Sequence, residues 1–320
     1  MKGRHKIIVK NRKLHYQFEI KRNITIIQGD SATGKTTLID MLRQYENYGI
    51  DSGVSVECDV PCVVLEGHEW KLQLENRNGC ILFTDEGNSF VKTEEFAKMV
   101  RESDNYFVLV TRENLYNLPY SVEEIYGIRS SGKYQNTQRI YQQMYQIYSE
   151  KLECPVKPEM VIVEDSNSGY DFFQSVCLGN GIVCQSAEGK TKIYSKLLDA
   201  GEQKICVIAD GAAIGSEMQI LHDWVKDHNN IVLYLPESFE WLLLKANIIS
   251  KNEINMILEK PEEYIQSQLY FSWEQFFTKL LIDKTKDTYF KYQKKRLNQV
   301  YLHEKNKKAI LREIKGIQFE

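Results

Sequence analysis

Residues 24–38 read Ile-Thr-Ile-Ile-Gln-Gly-Asp-Ser-Ala-Thr-Gly-Lys-Thr-Thr-Leu, and this stretch decides the fold of the first half of the chain. Its β-branched start, Ile24–Ile27, predicts a short strand. The loop Gly29–Thr36 fits the phosphate-binding pattern G-x-x-x-x-G-K-[ST] at every fixed position, and Lys35–Glu46 has the composition of a helix. Strand, glycine loop and helix in this order predict a P-loop, whereas a chance match arises on the order of 1% of the time.

The loop has the chemistry that a purine nucleoside triphosphate needs. Its backbone N–H groups can point at phosphate oxygens, and the helix start adds partial positive charge. Lys35 is expected to neutralise the β- and γ-phosphates, and the Thr36 hydroxyl to bind Mg²⁺. The sequence therefore predicts ATP and Mg²⁺ as cofactors and NTP hydrolysis as the activity. The predicted nucleotide-binding residues are Gly29, Asp30, Ser31, Ala32, Thr33, Gly34, Lys35, Thr36 and Thr37.

A second element of the same predicted site is an apolar strand that ends in two acids. Ile81–Thr84 is followed by Asp85 and Glu86, the arrangement of a Walker B strand. Asp85 is expected to hold Mg²⁺, and Glu86 to act as the general base on the attacking water. Another apolar strand ends at Thr111 and Arg112, either of which could sense the γ-phosphate. A plain surface role for Arg112 is an equal alternative.

Residues 159–245 alternate between strand and helix, which predicts a second α/β domain with a doubly wound sheet. One of its strands ends at Glu164 and a later one at Asp210. The carboxyl ends of parallel strands share one edge of a sheet, so the two acids are expected to lie close together. Oxygen ligands there suit Mg²⁺ or Mn²⁺ and phosphodiester chemistry. A domain of this fold with ordinary acids at its edge is the alternative.

These acids resemble the motifs of the Toprim domain found in primases, topoisomerases and OLD-family nucleases. Glu164 matches the family's glutamate, Asp210 the first Asp of D-x-D-x-x-G, and Gly215 its glycine. Ala212 stands where the second Asp belongs, so another acid would have to substitute. Candidates at the same edge are Glu237 and Glu240, besides Asp165 and Glu217.

An ATPase followed by a Toprim-like domain is similar to the layout of OLD-family and other ATPase–Toprim proteins of anti-phage defence. The resemblance implies an ATP-regulated, metal-dependent nuclease acting on DNA or RNA, with Lys35, Glu86, Glu164 and Asp210 as catalytic residues. The alternative is an ATP-dependent switch whose degenerate Toprim-like domain binds nucleic acid or a partner protein without cleaving it. A small-molecule kinase is the least favoured reading.

The predicted organisation has four parts: a P-loop NTPase domain over 1–130, a helical connector over 131–158, a Toprim-like domain over 159–252 and a helical region with a basic tail over 253–320. In the connector, Gln138–Glu150 is predicted to be a helix. Tyr141, Tyr145 and Tyr148 would share one of its faces, for docking between domains or for stacking on bases.

Composition sets the remaining expectations. The formal net charge of −3 excludes a generic polyanion binder, but residues 279–320 carry twelve Lys or Arg against five acids. The basic tail could contact phosphate or an acidic partner, or it could simply be solvated. Seven cysteines without a disulfide framework, and the absence of a long apolar run, predict a cytoplasmic protein that does not enter a membrane. A homo-oligomer is expected.

Overall fold

The computed structural model describes residues 1–29, 33–131, 139–149, 155–249 and 252–320, and it has a mixed α/β fold. The chain divides into two compact units. The first comprises Met1–Ser149 and Lys260–Ser272, and the second comprises Glu150–Glu259 and Trp273–Glu320. The predicted C-terminal region, residues 253–320, is therefore divided between the two units. No local sequence pattern predicts this division.

The first unit is built on a nine-stranded sheet with the spatial order β4-β1-β2-β9-β8-β3-β7-β6-β5. From β8 to β5 the neighbouring strands are parallel, whereas β1 pairs antiparallel with β2 and β4. The strands are β1 (His5–Lys10), β2 (Leu14–Ile20), β3 (Ile24–Ile27), β4 (Ser55–Glu57), β5 (Cys62–Val64), β6 (Ile81–Thr84), β7 (Tyr106–Val110), β8 (Ile125–Ser130) and β9 (Ile140–Gln146).

Three helices cover this sheet's connections: α1 (Lys35–Tyr48), α2 (Trp70–Glu75) and α3 (Glu94–Glu102). Helix α1 buries Leu38, Ile39 and Leu42 in the core that it shares with β1, β2 and β6. This burial of apolar surface fixes the helix against the sheet, so the loop before it is held at the carboxyl end of β3.

The helix predicted over Gln138–Glu150 is wrong, because the described part of that segment contains strand β9. Gln138 and Glu150 themselves lie outside the described residues. Strand β9 pairs in parallel with β2 and antiparallel with β8. Tyr141 and Tyr145 lie on one face in a helix and also in a strand, because a spacing of four residues fits both repeats. The pattern alone therefore could not distinguish a helix from a strand. Pairing with strands distant in sequence decided the outcome.

Residues 260–272 complete the first unit beside its N-terminus. The backbone N–H of Gly3 donates to the Glu262 carbonyl at 2.7 Å, and Ser267 N–H donates to the Met1 carbonyl at 2.9 Å. The Asn23 side chain donates to the Phe271 carbonyl at 2.9 Å. These backbone contacts make the segment an integral part of the unit.

The second unit contains a four-stranded parallel sheet with the order β11-β10-β12-β13. Its order reverses between β10 and β12, and the carboxyl ends of strands at such a point form a crevice. The elements are β10 (Met160–Val163), β11 (Val183–Ser186), β12 (Ile205–Ile208), β13 (Ile231–Tyr234), α4 (Ser168–Gly179), α5 (Ile193–Asp199), α6 (Met218–Asp227), α7 (Phe239–Lys245), α8 (Asn252–Glu259), α9 (Trp273–Thr285) and α10 (Glu304–Glu313).

The prediction that everything after residue 252 is helical is only partly right. Turns and short 3₁₀ segments separate α8, α9 and α10. The C-terminal end returns to the start of the second unit, where Val156 bridges to Ile317. Within the described parts of the chain, every helix is too short or too polar to cross a lipid bilayer.

Candidate nucleotide and carboxyl sites

The predicted phosphate-binding loop lies between the end of β3 and the start of α1. Gly34 has φ +91°, a left-handed value that favours glycine, and α1 begins at the next residue. Thr36 and Thr37 are exposed on the first turn of α1. Asp30, Ser31 and Ala32, which were predicted to bind nucleotide, lie outside the described residues.

Lys35 is held at the mouth of the loop by the loop itself. Its Nζ donates to the Gly29 carbonyl at 2.6 Å and to Thr33 Oγ1 at 3.2 Å. The same atom lies 3.7 Å from Glu86 Oε1. The Lys35 side chain is only 4% exposed, so its ammonium group is directed inward, into the loop, rather than into solvent.

The sheet order explains why the two predicted motifs meet. Strand β7 lies between β3 and β6, so the residues after β7 sit between the loop and the acids that follow β6. Arg112 Nε lies 2.9 Å from Glu86 Oε2. Thr111 Oγ1 instead exchanges hydrogen bonds with the backbone of Glu113, so Arg112 is the sensor candidate that reaches the acids.

Asp85 is turned toward its own backbone rather than toward Lys35. Its Oδ1 accepts the N–H of Glu86 at 2.8 Å, and its carbonyl accepts the side-chain amide of Asn88 at 3.2 Å. This turn fixes the direction in which Glu86 leaves the strand. Lys35 and Glu86, both predicted from sequence, are thus brought together, and no contact of the described residues links Asp85 directly to Thr36.

Sequence reasoning missed Tyr16, which buttresses the loop from β2. Its hydroxyl donates to the Gly34 carbonyl at 2.9 Å, and a Cβ on Gly34 would lie 2.8 Å from the same hydroxyl. Burial raises the pKa of Tyr16 to about 12, so the phenol remains a donor at neutral pH. Alternation of buried residues along β2 was the only sequence signal, and it indicates burial, not contact with the loop.

In the second unit the structure brings Glu164 and Asp210 together at the point where the strand order reverses. Glu164 Oε2 accepts the backbone N–H of Asp210 at 2.9 Å. Burial raises the pKa of Glu164 to about 7. Burial also raises the pKa of Asp210, and the negative charges of Glu274 and Glu164 raise it further. Both carboxyls line a pocket with Asp165, Phe173 and Phe239.

Of the two acids predicted to replace the missing Asp, Glu240 has a described interaction with Asp210. Glu240 is 2% exposed and accepts the Tyr292 hydroxyl at 2.8 Å, and its charge acts on Asp210. The Glu237 carbonyl accepts the backbone N–H of Ala212 at 3.2 Å. Ala212 is itself buried, so no carboxylate enters the cluster from that position.

Lysine side chains share this cluster with the acids. Lys294 forms an ion pair with Glu274. Burial lowers the pKa of Lys294, but Glu274 and Glu240 outweigh burial and raise it. Lys190, 2.9 Å from the Ala213 carbonyl, is close enough to Glu164 for their charges to interact. The basic tail therefore supplies a cation to these acids, a contact that the charge asymmetry did not predict.

The fit of a metal ion differs between the two sites. Across residues 1–29, 33–131, 139–149, 155–249 and 252–320, no group of three or more His, Cys, Asp or Glu side chains is arranged to hold a metal. A P-loop needs fewer protein ligands, because Mg²⁺ there keeps waters and phosphate oxygens. In the carboxyl cluster of the second unit, in contrast, Lys294 already pairs with Glu274. Its positive charge opposes the binding of a divalent cation there.

The chain matches no protein-family model and no curated protein sequence. Its function is therefore inferred from the geometry and chemistry of these two sites.

Proposed function

We propose that the first unit binds and hydrolyses a nucleoside triphosphate, with ATP and Mg²⁺ as the expected pair. The observation that supports this most strongly is the convergence of Lys35, Glu86 and Arg112 at the mouth of the glycine loop. The loop, the acid after β6 and the cation after β7 come from three different parts of the chain. The order of strands in the sheet brings these three residues together, and no single sequence motif specifies that they are close.

Each residue has a distinct task in this proposal. Lys35 exchanges its bond to the Gly29 carbonyl for a phosphate oxygen, and the backbone N–H groups of the loop bind the remaining oxygens. Thr36 and Asp85 are the residues that would hold Mg²⁺, which neutralises phosphate charge when bound. Glu86 accepts the proton of the attacking water. Arg112 keeps the Glu86 carboxylate directed at the loop.

Phosphate release from MgATP tests this proposal. Wild-type protein is expected to turn ATP over, and Lys35→Ala to fall to background, because its ammonium group alone among the named side chains sits inside the loop. Lys98→Ala is the matched control, since Lys98 is an exposed lysine on α3 of the same unit. Turnover by Lys35→Ala at the wild-type rate would contradict the proposal.

For the second unit, the ion pair of Lys294 with Glu274 favours a non-catalytic module over a metal-dependent nuclease. Acids already balanced by a lysine have less affinity for a divalent ion than acids that repel one another. A plasmid or RNA nicking assay with Mg²⁺ or Mn²⁺, with and without ATP, separates the two. Cleavage by wild type that is lost in Glu164→Ala would instead support a metal-dependent nuclease. A role in anti-phage defence rests on the sequence resemblance and stays a prediction.

A further inference from the structure

In the part of the first unit's sheet formed by β2, β9 and β8, one face carries exposed and half-buried aromatic, amide and basic side chains. Along β2, the residues Tyr16, Phe18 and Ile20 are buried, whereas Gln17 and Glu19 between them are exposed. Successive side chains on a strand point to opposite faces, so His15 and Gln17 lie on the outer face. The pairing register of β2 with β9, and of β9 with β8, then shows which residues of β9 and β8 lie on the same outer face.

The pairing places these residues in rows across the strands. His15 is opposite Tyr141, and Gln17 is opposite Gln143. On the other side of β9, Gln143 is opposite Arg129 and Tyr145 is opposite Gly127. We call this surface the tyrosine face and define it by His15, Gln17, Arg129, Tyr141, Gln143 and Tyr145.

Two aromatic platforms stand on the tyrosine face. The rings of His15 and Tyr141 lie 4.8 Å apart at 33°. The Tyr145 ring packs against Gly127 of β8 so closely that a Cβ at Gly127 would come within 2.5 Å of the ring. The Arg129 guanidinium lies over the same ring, 4.9 Å from its centroid. Tyr145 remains 38% exposed. Tyr145 is four residue steps along the strand from Tyr141, about 13 Å, which is too far for a single base to cover both rings.

The charge around the tyrosine face is positive on balance. The acid of the outer face, Glu19, is within 3.4 Å of Arg4, and Glu57 on the edge strand pairs with Lys10. Near the His15 ring, Ile140 N–H donates to the Lys13 carbonyl at 2.7 Å, which brings the start of β9 beside the basic turn between β1 and β2. Burial lowers the pKa of His15, as do the charges of Arg139 and Lys10, whereas the hydrogen bond with Gln17 and the charge of Glu57 act in the opposite direction.

We propose that the tyrosine face binds single-stranded nucleic acid, with bases stacked on Tyr141 and Tyr145 and phosphates beside Arg129. Aromatic rings stack on any base, cations track the backbone, and the amides of Gln17 and Gln143 can bond to base edges. A double helix hides its base faces, so it fits this surface less well. The inference does not depend on the NTPase proposal, because the tyrosine face is on the opposite side of the sheet from Tyr16 and the glycine loop.

Fluorescence anisotropy of the full chain with labelled dT and U 20-mers tests it. Wild-type protein is expected to bind both, and Tyr141→Ala/Tyr145→Ala to bind at least about tenfold more weakly, because both rings on which bases would stack are removed. Tyr141→Phe/Tyr145→Phe is expected to bind like wild type, since stacking needs the ring and not the hydroxyl. This pair also guards against a double alanine variant that fails to fold. Tyr48→Ala and Tyr116→Ala, at tyrosines 68% and 53% exposed on the same unit, are the matched controls.

Salt dependence gives a second readout. Arg129→Ala is expected to reduce the slope of log affinity against log salt by about 0.7, the value for one phosphate contact on a single strand. No saturable binding by wild type at low salt would overturn the proposal, as would equal affinity for wild type and the double alanine variant. Equal competition by polyglutamate would also overturn it, because the surface would then recognise charge alone. Oligonucleotide binding without ATP binding would leave this inference standing and remove the NTPase proposal.

Discussion

The Nε atom of Arg112 lies 2.9 Å from Glu86 Oε2, which ties the residue after β7 to the acid after β6. Lys35 approaches the other oxygen of the same carboxylate at 3.7 Å. Glu86 is therefore flanked by two cations at the loop mouth. In the proposed mechanism, a bound phosphate would draw Lys35 away, which would free one oxygen of Glu86 toward water while Arg112 holds the other. This relationship generates the first two predictions.

Glu86→Gln is expected to keep nucleotide affinity and to slow hydrolysis by about 10²-fold or more, because the amide cannot accept the proton of water. Single-turnover phosphate release measured beside an ATP titration separates the two effects. The exposed Glu94→Gln on α3 serves as the control. Hydrolysis by Glu86→Gln at the wild-type rate would show that another residue is the base.

Arg112→Ala is expected to lower kcat about tenfold, a loss near 1.4 kcal/mol, with a smaller change in KM for ATP. The reason is that the variant removes the cation that holds Glu86 Oε2, while Lys35, the proposed phosphate ligand, is unchanged. Arg112→Lys keeps the charge but loses the Nε donor, so partial recovery of kcat is expected. A kcat that rises in Arg112→Ala would instead mean that the arginine restrains Glu86.

Lys294→Met is expected to destabilise the second unit and to make its stability respond to Mn²⁺. Without the lysine, Glu274, Glu240 and Asp210 lose a nearby cation, and a divalent ion can take its place. Thermal unfolding with and without Mn²⁺ measures this. Lys284→Met, which breaks the pair with Glu253, is the control. If Mn²⁺ stabilises the wild type as much as Lys294→Met, the cluster binds metal beside the lysine, and the nuclease reading gains support.

Glu124 in the first unit predicts a pH dependence of stability. Burial raises the pKa of this fully buried carboxyl to about 7, although Arg22 and Thr25 contact it. A folded pKa above the unfolded one favours folding when the group is protonated, so this contribution is present at low pH and is lost as pH rises from about 4.5 to 7. The free energy of unfolding of wild type relative to Glu124→Gln should therefore fall by up to about 3 kcal/mol between pH 5 and pH 8.

Chemical denaturation of both proteins at the two pH values checks this prediction. A constant difference, or one that grows with pH, would mean that the pair with Arg22 keeps Glu124 ionised in the folded state.

The sequence predicted what is local and missed what depends on distant partners. The glycine loop, the strand before it and the acids after β6 could be located because each is a short contiguous pattern. Arg112 could be named as a sensor candidate because it follows an apolar strand, but its contact with Glu86, like that of Tyr16 with Gly34, depends on the order of strands in the sheet, which no window of sequence contains. Strand β9 was read as a helix because Tyr141 and Tyr145 satisfy both repeats. Glu274 and Lys294 come from the C-terminal segment, whose course into the second unit depends on tertiary packing.

Direct titration of ATP with Mg²⁺ against wild type and Lys35→Ala tests the central claim, which is that the loop before α1 binds a triphosphate. Isothermal calorimetry is expected to show one saturable site per chain in wild type, no measurable site in Lys35→Ala, and an unchanged site in Lys98→Ala. The three proteins should have the same unfolding temperature without nucleotide. Equal ATP affinity in wild type and Lys35→Ala would contradict the account.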